Sequence, residues 1–204
     1  MHRPFRQPSR GAPRAAAVLA LTLLLGVPLS ACSGDDDPER DRPAGDAGPA
    51  REDPPPLATT TRLGEVAGRL SGPRRARMQT QVTEVVDAWI DAAYLGVYPR
   101  TDFGDAFLGF SEGAAADARS DAALMSNKSF GADLDEVVAL QRGLRIDALA
   151  SRGRAVGVTA RVLLTMRLGG EVKRKEKVAG RLFLTYGDGT WQVFGYDVTR
   201  GRAR

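Results

Sequence analysis

The only cysteine and the only histidine of this chain lie near its amino terminus, which limits the chemistry open to the rest. The cysteine is Cys32 and the histidine is His2. From residue 33 onward, acid–base catalysis by histidine, a thiol nucleophile, an internal disulfide and a Cys/His zinc site are therefore excluded. The aspartates at 35–37 are discounted as a calcium site because consecutive acids in a spacer lack a fixed oxygen cage. We expect no bound metal and no cofactor.

The residues before Cys32 have the features of an export signal. Four arginines and no acidic residue precede an apolar stretch at residues 15–29. This stretch suits a signal peptide and is short for a membrane span, which needs about 20 residues. We therefore predict a signal peptide over residues 1–31.

The order Leu29-Ser30-Ala31-Cys32 resembles the lipobox of bacterial lipoproteins, in which an aliphatic residue and two small residues precede a cysteine. The resemblance implies that the Cys32 thiol receives a diacylglyceryl group and that the chain is cut before Cys32. Two acyl chains give stable anchoring, whereas one is marginal. The alternatives are an ordinary secretory signal with a chance cysteine, or an uncleaved anchor. The expected location is extracytoplasmic, on the outer face of the cytoplasmic membrane.

An acidic segment rich in proline and glycine follows, and residues 33–59 carry a net charge of −5. Such a composition cannot bury enough apolar surface to offset its chain entropy. We predict a disordered tether over residues 32–60. The folded domain is then expected over residues 61–204, with its core between residues 74 and 200.

Helical spacing dominates the first part of this domain. Apolar residues recur every three or four positions at Met78, Val82, Val85, Trp89 and Ala92. This pattern predicts an amphipathic helix over residues 74–96. Residues 62–70 are expected to add a short turn of helix before it, and two short helices to follow between residues 101 and 127. Residues 133–141 fit either a helix or a strand.

After Gly143 the apolar period changes to two, which predicts β-strands. Turn residues interrupt the alternation at 169–170, where two glycines favour a two-residue hairpin, and at 187–189. We expect four antiparallel strands in a meander, the last over residues 190–199. Helices followed by strands predict an α+β fold, with the helices on one face of the sheet.

The segment 173–177 reads K-R-K-E-K and is strongly basic. We interpret it as a solvated hairpin that protects the edge of the sheet. Contact with anionic lipid headgroups or with an acidic partner is the alternative. Nucleic acid is not expected as a partner, because an exported protein rarely meets it.

Several motifs together resemble the nuclear transport factor 2-like cone. The pattern is similar to actinobacterial envelope proteins of that superfamily, including those associated with mammalian cell entry operons. The resemblance covers residues 74–200. It is carried by Trp89, Tyr94, the F-x-x-F run at 107–110, residues 124–127 and the carboxy-terminal G-R-L-F-L-T-Y-G-D-G-T-W-Q-V-F-G-Y-D-V. It implies a curved antiparallel meander covered by helices.

In that fold the helices and the concave face of the sheet enclose a pocket. By resemblance, the candidate pocket residues are Trp89, Ala93, Tyr94, Phe107, Phe110, Val162, Leu164 and either Phe194 or Trp191. The alternative is that these side chains fill the core.

Some members that resemble ketosteroid isomerase or polyketide cyclases use a pocket aspartate as a base. The corresponding candidates are Asp91, Asp147 and Asp197, with Tyr94, Tyr186 or Tyr196 as the proton or hydrogen-bond donor. The apolar periods place none of these aspartates in an apolar interior. Members with a His–Asp pair are excluded, because no histidine follows Cys32.

The expected function is therefore non-catalytic. The chain is interpreted as a lipid-anchored accessory or binding protein of the bacterial cell envelope, linked to envelope transport. Its expected partners are the membrane, through the diacylglyceryl anchor, and an envelope protein or a small apolar ligand. A homodimer is a further hypothesis. The alternative function is a small-molecule isomerase or cyclase with an Asp/Tyr pair.

Overall fold

A computed structural model of the protein describes residues 56–204. The predicted signal peptide, its lipobox with Cys32, and most of the predicted tether lie outside the described residues. Within residues 56–204, no helix combines the length and the apolar composition needed to cross a membrane.

The long helix predicted from apolar spacing is confirmed. Helix α1 spans Gly72–Ile90 and continues as a π-helical segment, Asp91–Leu95. Ser71 precedes it in an extended conformation, and a proline occupies its first turn, where a missing N–H costs nothing. The buried residues of α1 are Met78, Val82, Val86, Trp89 and Ile90.

Short helical elements connect α1 to the sheet. They are a 3-10 turn at Gly104–Phe107, helix α2 at Glu112–Ser120, helix α3 at Ala122–Met125 and a 3-10 turn at Gly131–Asp133. Ser111 caps helix α2, since its hydroxyl accepts a hydrogen bond from the N–H of Ala114 at 3.4 Å.

The sheet has five strands in sequence order. They are β1 (Thr60–Ala67), β2 (Leu134–Ser151), β3 (Arg154–Gly170), β4 (Arg174–Gly187) and β5 (Thr190–Arg202). Strands β2 to β5 pair antiparallel, which confirms the meander, and β1 pairs parallel with β2. The ambiguous residues 133–141 are strand from Leu134 onward.

The helix expected at residues 62–70 is wrong, because residues 62–67 belong to β1. Its glycines disfavour a helix, and the pairing with β2 supplies the backbone hydrogen bonds that a helix would have made. At position 64 the strand needs a residue without a side chain, because the Asp147 carboxylate occupies the space beside it. A Cβ at this position would lie 2.1 Å from the Oδ1 atom of Asp147.

The hairpin expected at residues 169–170 is also corrected. Both glycines remain in the ladder with β2, and the chain turns after them, before β4 begins at Arg174. Two-residue turns lie at 152–153, which was not expected, and at 188–189, where the expected turn is confirmed. In both turns the two residues have positive φ angles, which matches the right-handed twist of a hairpin.

The helices lie on one face of the sheet. Helix α1 contacts β3 and β5, and α2 and α3 contact β5. Alternate strand residues such as Ile146, Ala160 and Leu182 are fully buried beneath them. The opposite face of the sheet carries no described helix and presents the intervening residues to solvent.

Candidate functional site

The side chains predicted to line a pocket meet in the interior. The buried ones are Trp89, Ala93, Tyr94, Phe107, Phe110, Val162 and Leu164. The Trp89 ring lies edge-on to Tyr94, with ring centroids 5.5 Å apart, and 6.3 Å from Phe110. The indole N–H of Trp89 donates to the Met125 carbonyl at 3.2 Å. These contacts are those of a packed core.

Phe194 is the exception, and the structure corrects its predicted position. Its side chain is 56% exposed and lies on the uncovered face of the sheet, 6.3 Å from the Phe183 ring. Val193 is fully buried, so strand alternation turns Phe194 away from Trp89. Trp191, the alternative, faces the helix side and is buried.

A buried ionic cluster, which the sequence reasoning missed, lies at the far end of the interior. We call Arg174, Glu176, Arg200 and Asn127 the Glu176 cluster. The two carboxylate oxygens of Glu176 accept hydrogen bonds from the Nε atoms of Arg174 and Arg200, each at 2.6 Å. Arg200 also donates to Asn127 Oδ1 at 2.7 Å and to the Ser126 carbonyl at 2.6 Å. One carboxylate therefore serves two guanidinium groups, and each of its oxygens has a cationic hydrogen-bond donor.

Tyr94 joins this cluster to the aromatic core. Its hydroxyl donates to the Leu124 carbonyl at 2.7 Å, while the amide of Asn127 donates to the Tyr94 carbonyl at 3.0 Å and to the Tyr98 hydroxyl at 2.8 Å. Burial raises the pKa of Tyr94 well above its usual range. Its phenol therefore stays protonated at physiological pH, and its proton is held by a backbone carbonyl.

The three candidate aspartates are paired with arginine rather than with tyrosine. Asp91 accepts from Arg142 at 2.8 Å and is more than half exposed, and Asp197 pairs with Arg181 on the uncovered face. Asp147 lies between Arg145 and Arg161. An Asp/Tyr pair does occur at another place, where the Tyr196 hydroxyl donates to Asp121 at 2.7 Å.

The Tyr196–Asp121 pair lies near the surface, with Tyr196 half-buried, and joins β5 to the end of α2. Two effects raise the pKa of Tyr196 above its usual range. The first is its partial burial away from solvent, and the second is the hydrogen bond that it donates to the Asp121 carboxylate. Both effects hold the proton on the tyrosine. The pair therefore suits a structural link better than a proton transfer near neutral pH.

The pKa of Asp147 is lowered, chiefly because its carboxylate accepts a hydrogen bond from the Glu65 N–H at 3.0 Å, and then because Arg161 donates to it. A lowered pKa means that Asp147 stabilises the fold above the pKa of the unfolded chain and loses this effect as the pH falls. This aspartate stays ionised at neutral pH and is a poor general base.

We therefore expect Asp147→Asn to lower the free energy of unfolding by about 1 kcal/mol at pH 7. In urea titrations this difference should begin to shrink as the pH falls below about 4, where the carboxylate of the unfolded chain becomes protonated, and it should vanish once the folded carboxylate is protonated at still lower pH. Asp105→Asn, at an exposed turn, is the control and should change little. A loss that is the same at every pH would contradict this account of Asp147.

Arg142 forms a second ionic cluster that the sequence did not reveal. A bulge after Ala139 precedes it, and Arg142 lies opposite the fully buried Leu164 on the helix side of the sheet. It donates to Asp87 and Asp91 of the helix, each at 2.8 Å. These ion pairs fasten the end of α1 to β2 beside a cleft of about 1120 Å³.

A smaller groove has the features of a ligand site. It lies between the first turns of α1 and the hairpin ends of the sheet, with a volume of about 490 Å³. Its floor is apolar, and its lining residues are Leu70, Arg74, Arg77, Met78, Gln81, Arg154, Ala155, Val156, Tyr186 and Trp191. Val156 and Tyr186 are exposed, and three arginines surround them. The groove therefore offers an apolar surface with a cationic rim.

The basic segment 173–177 is divided by strand alternation. Lys173, Lys175 and Lys177 are exposed, whereas Glu176 is buried and Arg174 turns inward to meet it. The segment is therefore not one continuous solvated cluster. Its lysines remain available on the surface.

No metal site emerges from the described part of the chain, where no group of three His, Cys, Asp or Glu side chains is placed to hold an ion. Comparison of the whole chain with protein-family models and with curated proteins finds no match.

Proposed function

We propose that the chain is a lipid-anchored, extracytoplasmic binding protein of the bacterial cell envelope, with an accessory role in envelope transport. The observation that carries this proposal is the order Leu29-Ser30-Ala31-Cys32 directly after an apolar stretch of signal-peptide length. Since Cys32 is the only cysteine, it is the one thiol that can receive the acyl group.

We also propose that the domain adopts a nuclear transport factor 2-like cone. One long helix and several short ones cover one face of an antiparallel meander, as the resemblance implies. Bulges in β2, and one where β4 pairs with β5, supply the bends that a curved sheet needs. The parallel strand β1 at the edge is an addition that the resemblance did not imply.

The placement of the acids supports the proposed non-catalytic role. Among residues 56–204, Asp91, Asp147 and Asp197 are all bound to arginines and none faces the aromatic core. The lining of the groove beside Tyr186 contains no carboxylate. The isomerase or cyclase alternative needs an aspartate and a tyrosine in one apolar pocket, and these positions do not supply it.

The groove is proposed as the ligand site. Its apolar floor and its rim of three arginines suit an amphipathic anion. We expect native mass spectrometry of the protein, extracted from its own envelope, to show such a bound molecule. Val156→Glu should abolish binding, because it places a negative charge on the apolar floor. Val97→Glu is the matched control, since Val97 is 87% exposed and lies outside the groove. A ligand that Val156→Glu retains, or none in the unaltered protein, would contradict this site.

Anchoring is tested by fractionation of the bacterium that makes the protein. Cys32→Ala removes the acylated thiol, so the protein should move from the membrane fraction, and its mobility on a gel should change. Ser33→Ala is the matched control and should remain in the membrane. If Cys32→Ala stays membrane-bound with unchanged mobility, the anchoring proposal fails.

A further inference from the structure

The uncovered face of the sheet carries a row of arginines in direct register. Arg62, Arg145, Arg161 and Arg181 lie in β1 to β4, and each is the cross-strand partner of the next. All four are exposed. Directly opposite residues project from the same face, so the four guanidinium groups form one line across the sheet.

Such a row works against the stability of the sheet. Like charges on directly opposite residues repel each other, and Arg167 faces Lys175 in the same way further along β3 and β4. Two carboxylates offset part of the row, since Asp147 contacts Arg145 and Arg161, and Asp197 contacts Arg181. The face remains positive. Its basic residues are Arg62, Arg145, Arg161, Arg167, Lys175, Lys177 and Arg181, and its acidic ones are Glu65, Glu136, Asp147 and Asp197.

Apolar side chains lie beside the arginine row. Phe194 and Leu149 are each 56% exposed, and Phe183 packs against Phe194. They border a shallow depression of about 410 Å³. The Arg181 guanidinium lies 5.9 Å from the centre of the Phe183 ring, so charge and aromatic surface are adjacent. Exposed aromatic groups next to cations are typical of surfaces that enter the headgroup region of a bilayer.

We propose that this face docks on an anionic phospholipid surface. The arginines would bind lipid phosphates, and Phe194 and Leu149 would enter the interfacial layer. This inference rests on the proposed function, because the Cys32 anchor would hold the domain near the membrane. Residues 33–59 span at most about 90 Å when extended, and confinement within that reach makes a weak surface attraction effective. A second copy is a poorer occupant, since stacking two such faces would bring two positive surfaces together.

The test uses the acylated protein and the absence of other cysteines. With the Cys32 thiol blocked by its acyl group, Leu149→Cys provides the only free thiol for an environment-sensitive fluorophore. The labelled protein is placed on vesicles of phosphatidylcholine alone or of an equal mixture with phosphatidylglycerol. Glu84→Cys, at an exposed position of α1, is the matched control.

We expect the Leu149→Cys reporter to shift to the blue on the mixed vesicles only, and the shift to disappear in high salt. The Glu84→Cys reporter should not respond. Combining Arg161→Gln with Arg181→Gln should weaken the response to anionic lipid by more than tenfold, because each arginine near such a surface contributes about a fivefold effect. Arg119→Gln with Arg202→Gln, on the helix side and outside the groove, is the charge-matched control and should leave it unchanged.

The outcomes separate the face from the anchor. Protein that floats with both kinds of vesicle but gives the same reporter signal overturns the docking face and leaves the anchor intact. Failure to float with neutral vesicles contradicts the anchor instead. In that case the docking face is tested with the unacylated chain, which should bind the mixed vesicles. The double variant Arg161→Gln, Arg181→Gln should abolish this binding. A reporter shift without vesicles, from a second copy or from the acidic residues 33–59, also overturns the proposal.

Discussion

Replacing Trp89 by alanine should lower the free energy of unfolding by about 3–5 kcal/mol. Trp89 is only 2% exposed, and its ring contacts Tyr94 and Phe110. The substitution would leave a cavity where α1 meets the short helices, and it would leave the Met125 carbonyl without its indole donor. Urea unfolding followed by circular dichroism measures the change.

Two variants control this prediction. Glu84→Ala lies on the exposed side of the same helix and should change stability by no more than about 0.5 kcal/mol. Trp89→Phe keeps an aromatic ring and loses the indole N–H, so its loss should lie between those of Glu84→Ala and Trp89→Ala. A folded Trp89→Ala protein with nearly unchanged stability would show that Trp89 belongs to a binding surface rather than to the core.

Replacing Arg200 by methionine should lower the free energy of unfolding by about 3–5 kcal/mol, as much as Trp89→Ala. The reason is that it removes one partner of a buried ion pair and leaves the other. The Glu176 carboxylate is 5% exposed and would keep only Arg174. The Asn127 Oδ1 atom and the Ser126 carbonyl would also lose a donor. The measurement is again urea unfolding, at neutral pH.

The partner variants show whether the loss comes from the unpaired charge. Arg202→Met removes an exposed arginine on the same strand and should have little effect. Adding Glu176→Met to Arg200→Met removes the stranded carboxylate and should recover part of the stability. If the double variant is less stable than Arg200→Met alone, the Glu176 carboxylate is not stranded by the loss of Arg200, and the explanation by an unpaired buried charge is contradicted.

The elements that repeat an apolar period could be predicted from the sequence. The apolar stripe that contains Val82 and Trp89 predicts the long helix, and the apolar alternation after Gly143 predicts the meander. Residues 62–70 have no such repeat, and their strand forms only because β2 is available as a partner. Pairing of this kind joins residues far apart in sequence, and local patterns do not contain it.

The polar interior was the least predictable part. The buried Arg142 follows a bulge in β2, and a bulge changes which side of the sheet each later residue faces. Arg200 lies beyond the apolar part of the last strand, at a position where a sequence pattern favours solvent. Its burial depends on Glu176 and Asn127, which other elements supply. The apolar pattern groups the aromatic residues correctly, whereas the choice of Trp191 over Phe194 requires the register of β5.

The account as a whole depends on the chemistry of Cys32, and mass spectrometry of the mature chain tests it most directly. The protein should be purified from the membranes of a bacterium that acylates lipoproteins and then digested with a protease. We expect the first peptide to begin at Cys32 and to carry a diacylglyceryl group on its sulfur. A chain that begins elsewhere, or a Cys32 with an unmodified thiol, would contradict the anchoring proposal and the location derived from it.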